Sequence, residues 1–182
     1  MSELRIYRDD NSQHALLSSR DAVLIRSELG KAGVRFEQWQ TRDDVRAGDS
    51  ADSVMTAYRD DIQRLVDEQG YQSVDVISLD ASNPNKDELR AKFLAEHRHS
   101  EDEVRFFVDG CGLFALHIGD KVYEVLCERG DLLSVPANTP HWFDLGPTPQ
   151  LVAIRFFNNP DGWVAHYTGS TIAEHYSRLE NA

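Results

Sequence analysis

The sequence predicts a mainly β protein, a closed barrel or sandwich of short strands with helices ahead of it. Two observations carry this. From residue 103 onward, short apolar runs are separated by Asp109-Gly110, Gly119-Asp120, Glu128-Arg129-Gly130, Pro136-Ala137-Asn138 and Gly146-Pro147. Turn signals about 8 to 12 residues apart mark successive antiparallel strands. Before residue 96 the apolar positions instead switch between strand and helix periods.

Taken in order, residues 4–8 alternate as a short strand. A helix is predicted over 19–29, with Ser18 or Ser19 as N-cap, Asp21 in the first turn and Gly30 near the C-cap. Residues 34–40 alternate again, and 42–52 read as a polar loop. Over 53–69, Val54, Met55, Tyr58, Ile62, Leu65 and Val66 fall on one face of a single helix that Gly70 ends. Residues 74–79 form a strand closed by Ser82-Asn83-Pro84. Asn85 with Glu88 resembles a capping box opening a short helix to Leu94, with Leu89, Phe93 and Leu94 inward.

The predicted barrel strands are 103–108, 112–118, 121–127, 131–135, 140–145 and 150–157. In the tail, Trp163 follows a Pro160-Asp161-Gly162 turn, and 171–179 is expected to be a short helix. The whole reads as one domain over 1–182: an N-terminal α/β elaboration (1–95), a motif-bearing barrel (96–157) and a tail (158–182).

A chain of 182 residues, 41% hydrophobic and 27% charged, can bury a real core. Its net charge of −12, with no basic run, repels phosphate backbones and anionic lipid, so neither nucleic acid nor membrane is an expected partner. No apolar run reaches the roughly 18 to 20 residues of a membrane span, and Met1–Arg5 lacks a secretion-signal core. A cytoplasmic location is expected. Cys111 and Cys127 then read as free thiols, a disulfide between adjacent strands being the alternative. With no exposed apolar stripe, a monomer is expected.

The chemistry concentrates between Glu96 and Trp142. His97 and His99 are two apart, so on a strand both imidazoles project from one face. Glu103 cannot join them on the same straight strand, where four residues would put it roughly 13 Å from His99. Metal–ligand bonds are about 2 Å, so the chain must reverse around Ser100-Glu101-Asp102 and Glu103 must open the neighbouring strand. His141 arrives from a later strand. Three imidazoles and a carboxylate suit a borderline divalent metal (Fe, Ni, Mn, Co, Cu or Zn) and leave two octahedral positions for a bidentate ligand. Arg105 follows Glu103 by two residues and shares the ligand face, where an anionic ligand would balance its charge. His14, His117, His166 and His175 read as ordinary surface or core histidines.

The pattern H-x-H-x3-E-x6-G, followed by G-x5-P-x4-H through Gly130, Pro136 and His141, resembles the paired motifs of the cupin superfamily. Asn138 stands where glycine is common and Leu145 where asparagine is common, both away from the ligands. Glu96-His97-Arg98-His99, Glu103-Val104-Arg105-Phe106, Pro140–Gly146 and Ile154-Arg155-Phe156-Phe157 further resemble the acireductone dioxygenase family of methionine salvage.

That resemblance implies a cupin-type barrel with N-terminal helices packed outside. It implies Fe(II) or Ni(II) held by His97, His99, Glu103 and His141. The implied substrate is 1,2-dihydroxy-3-keto-5-methylthiopentene, cleaved with O2. The iron form would give formate and 4-methylthio-2-oxobutanoate; the nickel form would give formate, carbon monoxide and 3-methylthiopropionate. It further implies that Arg105 helps form and hold the substrate dianion, that Glu96 assists metal loading and that Asp102 relays conformational change. Arg155 is a second substrate-binding candidate or else a structural ion pair. Phe143 and Trp163 either line a pocket for the methylthio tail or belong to the core. Two other readings stay open: another cupin oxygenase or isomerase on an enolic substrate, and a metal-stabilised binding module without turnover.

Overall fold

The computed structural model describes residues 1–159 and 161–180. Its strands are β1 (Glu3–Arg8), β2 (Leu17–Ser19), β3 (Arg35–Gln38), β4 (Ser73–Leu79), β5 (His97–Arg98), β6 (Glu103–Ile118), β7 (Lys121–Glu128), β8 (Asp131–Val135), β9 (His141–Asp144), β10 (Leu151–Phe157) and β11 (His166–Tyr167). The helices are α1 (Ala22–Lys31), α2 (Ala51–Ala57), α3 (Arg59–Gln69) and α4 (Lys86–Leu94), with a 3-10 turn at Ile172–His175.

β6 belongs to both sheets of a cupin-type barrel. Its first half, from Glu103, pairs with β10 and β8 in a sheet completed by β4 and β3. Its second half, from Cys111, pairs with β7 and β9 in a sheet that continues through β1 to β2 and through β5 to β11. The sheets therefore draw on segments either side of residue 95, and the N-terminal part contributes barrel strands as well as helices.

The break expected at Asp109-Gly110 is a bulge within a continuous strand. Val152 pairs with Asp109 and Ala153 with Phe107, so one residue of β6 is looped out. Gly110 has φ +71°, and a Cβ there would sit 1.7 Å from the Gln150 carbonyl oxygen. The glycine thus lets β6 bend from one sheet into the other instead of ending it.

Alternation along the strands separates the cores. Phe107, Phe114, Leu116, Val125, Leu133, Phe143 and Leu151 fill the barrel, joined by Ile25 and Leu29 of α1. On the outer face of the first sheet, Val104, Phe106, Val152, Ile154 and Phe156 meet Val54, Tyr58, Ile62 and Leu65 of the α2–α3 region. Outside the second sheet, Ala115, Val122 and Trp142 are covered by Ala173 and Tyr176 from the tail.

Local expectations differ from the structure where tertiary contacts win. The helix predicted over 53–69 is two helices broken at Tyr58, whose hydroxyl accepts the Arg42 amide at 2.8 Å and whose ring meets Phe106 edge-on. The cap of α1 is Asp21, accepting the Val23 and Leu24 amides, because Ser18 and Ser19 are spent in β2. That helix runs past Gly30 to Lys31, and Gly33 takes the left-handed conformation. Asn85 makes no side-chain cap, and Glu88 pairs forward with Lys92 at 2.9 Å. The tail helix shrinks to one 3-10 turn. Pro160 of the expected 160–162 turn lies outside the described residues; Asp161–Trp163 do form a turn. No helix among the described residues is long and apolar enough to cross a membrane.

Cys111 pairs with Glu128 and Gly112 with Cys127. Side chains alternate along a strand, so the two thiols point to opposite faces, and both cysteines are free.

Candidate metal centre and substrate cleft

β6 is not the neighbour of β5, since β9 lies between them and runs antiparallel to both, but the predicted turn at 100–102 is present. It ends β5 and lets Glu103 open β6 beside β8 and β10. His97 is the direct cross-strand partner of His141. The turn is braced by Asp102, which accepts the Ala137 amide at 2.7 Å, and by the His99 carbonyl, which accepts the Asn138 amide at 2.8 Å. These two bonds fix the turn before His141 against the turn after His99. Asn138 has φ +61°, a conformation asparagine tolerates better than most residues, which explains its place where glycine is common.

His97, His99 and His141 each offer one ring nitrogen, and the three lie within 4.8 Å of one another. In each ring Nδ1 meets a backbone carbonyl: Ala95 at 2.7 Å, Val164 at 2.9 Å and Thr139 at 2.8 Å. A carbonyl only accepts, so Nδ1 carries the hydrogen and Nε2 presents a lone pair to the cluster. Burial, together with the neighbouring His141 and His99 rings, lowers the His97 pKa to about 4, which keeps it neutral and able to act as a ligand near pH 7.

Glu103, 1% exposed, divides its two oxygens. Oε1 accepts Arg105 NH2 at 2.5 Å, while Oε2 lies 3.2 Å from His99 Nε2 and 3.5 Å from His141 Nε2. Neither Glu103 Oε2 nor His141 Nε2 has a hydrogen-bond partner. Burial works to raise the Glu103 pKa, but the Arg105 charge holds it well below the usual carboxylate range. An ionised oxygen therefore faces imidazole lone pairs in a dry site, an arrangement that is costly without a cation between them. Neighbouring ligands on bonds of about 2.1 Å at right angles lie about 3 Å apart, so the spacing fits a divalent ion.

Arg105, 3% exposed, lies against two adjoining rings, Phe114 at 4.6 Å and Phe143 at 4.5 Å, whose centres are 4.9 Å apart. Its Nε and NH1 are buried and unpartnered. Burial lowers its pKa, with Glu103 opposing and the Arg155 charge adding to the fall. Arg105 and Arg155 are direct cross-strand partners, so both face the barrel interior. Arg155 has its own counter-ion, Asp75 on β4, bound through two contacts of 2.8 and 2.6 Å. The ion pair is present, and Arg155 lines the cleft as well.

That cleft, about 430 Å3, lies over the histidines. Arg105, Arg155, Phe143 and the three histidines form its floor, Leu89, Lys92 and Phe93 of α4 one wall, and Trp163, Val164, Ala165 and Tyr167 the other. Phe143 is both cleft and core, 1% exposed, whereas Trp163 is 54% exposed at the rim. Glu96 does not face the cluster: its carboxylate binds Thr168 Oγ1 at 2.6 Å and His117 Nδ1 at 3.1 Å. Sequence reasoning missed Leu89, Lys92, Phe93, Val164, Ala165 and Tyr167. The inward placement of Leu89 and Phe93 by helix period was the available signal for α4; nothing local marks 164–167.

Comparison with known proteins agrees with this geometry. A chain from Cronobacter sakazakii named acireductone dioxygenase is 58% identical over 98% of this chain and 99% of its own length. One of the same name from Alcanivorax borkumensis is 55% identical over 98% of each. The solved acireductone dioxygenase from Bacillus anthracis, which has a cadmium ion in its active centre, superposes with TM-score 0.76 at 35% identity, covering 92% of this chain and 98% of that one. The sequence model of the ARD/ARD′ family matches residues 3–165. The chain belongs to the ARD/ARD′ family.

Proposed function

We propose that this chain is an acireductone dioxygenase that cleaves 1,2-dihydroxy-3-keto-5-methylthiopentene with O2, holding Fe(II) or Ni(II) on His97, His99, Glu103 and His141. The observation that carries the reading is the buried, unpartnered pair Glu103 Oε2 and His141 Nε2 beside an arginine with two free donors. When bound, the metal supplies a Lewis-acidic, redox-active centre with positions open to a chelating enediolate.

The protein's own groups shape that chelate. Arg105 Nε and NH1 are free to donate to an oxyanion, and a fixed cation in a dry site favours the deprotonated enediol. Glu103 keeps the guanidinium in place through Oε1 while Oε2 serves the metal. Arg155 adds a second positive charge to the cleft floor, moderated by Asp75. Phe143, Trp163 and the α4 wall receive the methylthio tail and limit water. Asp102 couples the turn at 100–102 to the turn before His141. Glu96 tethers β5 to Thr168 and His117, where it can influence how readily His97 opens for metal loading. The products depend on the metal, formate with the 2-keto acid for iron and carbon monoxide in addition to formate for nickel.

The direct test is oxygen uptake. The metal-loaded chain given this acireductone consumes O2 and releases formate; no uptake with either iron or nickel overturns the proposal.

A further inference from the structure

α4 supplies a whole wall of the cleft, yet little holds it. None of its nine residues is fully buried, no side chain caps its N-terminus, and only Leu89 and Phe93 lean on the barrel core. Helices this short are marginal without tertiary support. Beside a contact from Lys86 Nζ to the Pro147 carbonyl at 3.2 Å, the support is an ion pair onto a buried carboxylate: Arg90 donates from Nε to Asp144 Oδ1 at 2.7 Å and from NH2 to Oδ2 at 3.0 Å.

Asp144 is 1% exposed and fully engaged, also accepting the Gly146 amide at 2.9 Å and the Leu179 amide at 3.0 Å. It directly follows Phe143, whose ring meets Phe93 edge-on at 6.2 Å and stacks on Arg105. The bidentate fork therefore sets α4 against β9 at the place where the cleft's apolar wall meets its charged floor.

Building on the proposed acireductone activity, we propose that Arg90 is a positioning residue that sets specificity for the substrate's tail, by holding Leu89 and Phe93 at the cleft through Asp144. Neither Arg90 nor Asp144 lines the cleft, so neither touches the chelating end of the substrate. The prediction is a selective one. Loosening the wall weakens binding of the part of the substrate that touches it and leaves the enediol chemistry intact.

The test compares the methylthioethyl acireductone with one truncated to a methyl group, on metal-loaded enzyme. Arg90→Met is expected to raise KM for the long substrate about tenfold with kcat within about twofold, and to leave both constants and the bound metal unchanged with the truncated one. Arg90→Lys should recover part of the loss, since it restores a charge but not the fork. If Arg90→Met folds poorly because Asp144 is stranded, Arg90→Met/Asp144→Asn removes the unpaired charge and should show the same substrate-selective KM rise. Equal losses on both substrates, or no change on either, overturn the assignment. Absence of turnover by the unaltered enzyme on either substrate would instead overturn the acireductone reading, and this inference with it.

Discussion

Glu103 gives one carboxylate oxygen to Arg105 at 2.5 Å and leaves the other facing His99 Nε2 at 3.2 Å. One side chain thereby ties the cleft-lining guanidinium to the histidine cluster. The histidine–carboxylate cluster and the guanidinium should respond differently to mutation.

His97→Ala and Glu103→Ala are each expected to abolish stoichiometric metal binding, measured by metal analysis after desalting. Arg105→Ala should keep the metal but lose turnover. It should also destabilise the metal-free chain by about 3–5 kcal/mol, the cost of stranding a buried carboxylate, and much of that should return on metal binding. Full activity in Arg105→Ala would refute its substrate-anchoring role.

The metal-free chain should lose stability in acid. The unfolded His97 titrates at about 6.5 and the folded one at about 4, so between those values the unfolded state binds more protons. Stability from this group is fully present above about pH 6.5 and falls away as pH drops towards 4, on the order of 3 kcal/mol in all. Urea unfolding of the metal-free chain at pH 7.0, 5.5 and 4.5 should show the decline, and His97→Gln should flatten it in that window.

Arg155 is anchored by Asp75, whose side chain is 42% exposed, so the pair contributes modestly. Asp75→Asn is expected to cost about 1 kcal/mol in thermal or urea unfolding and to leave kcat/KM within a few-fold. Arg155→Met should lower kcat/KM at least tenfold if its charge acts on the substrate. Equal kinetic effects from the two variants would make Arg155 purely structural.

Gly112 carries no side chain because a Cβ there would meet the Phe143 ring at 2.1 Å. Gly112→Ala must displace the Phe143 ring, at a cost of about 1–3 kcal/mol typical of overpacking. Steady-state kinetics should show the displacement as a lowered kcat/KM, since Phe143 forms part of the cleft floor.

Much of the site was legible because its constraints are local. Two histidines two apart, and a glutamate too far to share their strand, demand a turn at 100–102, and the chain makes it there. The β-rich half was legible from its turns, except at Gly110, where the same residue that signals a break permits a bend into a second sheet. What could not be read depends on partners distant in sequence. Tyr58 breaks a helix because Arg42 and Phe106 hold it, Arg155 meets a carboxylate 80 positions earlier, and α4 is docked by Asp144. Periodicity carries no record of such contacts.

The most direct test of the central claim is product analysis from one apo preparation loaded separately with Fe(II) and Ni(II), then given acireductone and O2. The proposed acireductone dioxygenase activity predicts formate with the keto acid from the iron form, and formate, carbon monoxide and 3-methylthiopropionate from the nickel form. Product formation by the metal-free chain, or none from either loaded form, would contradict it.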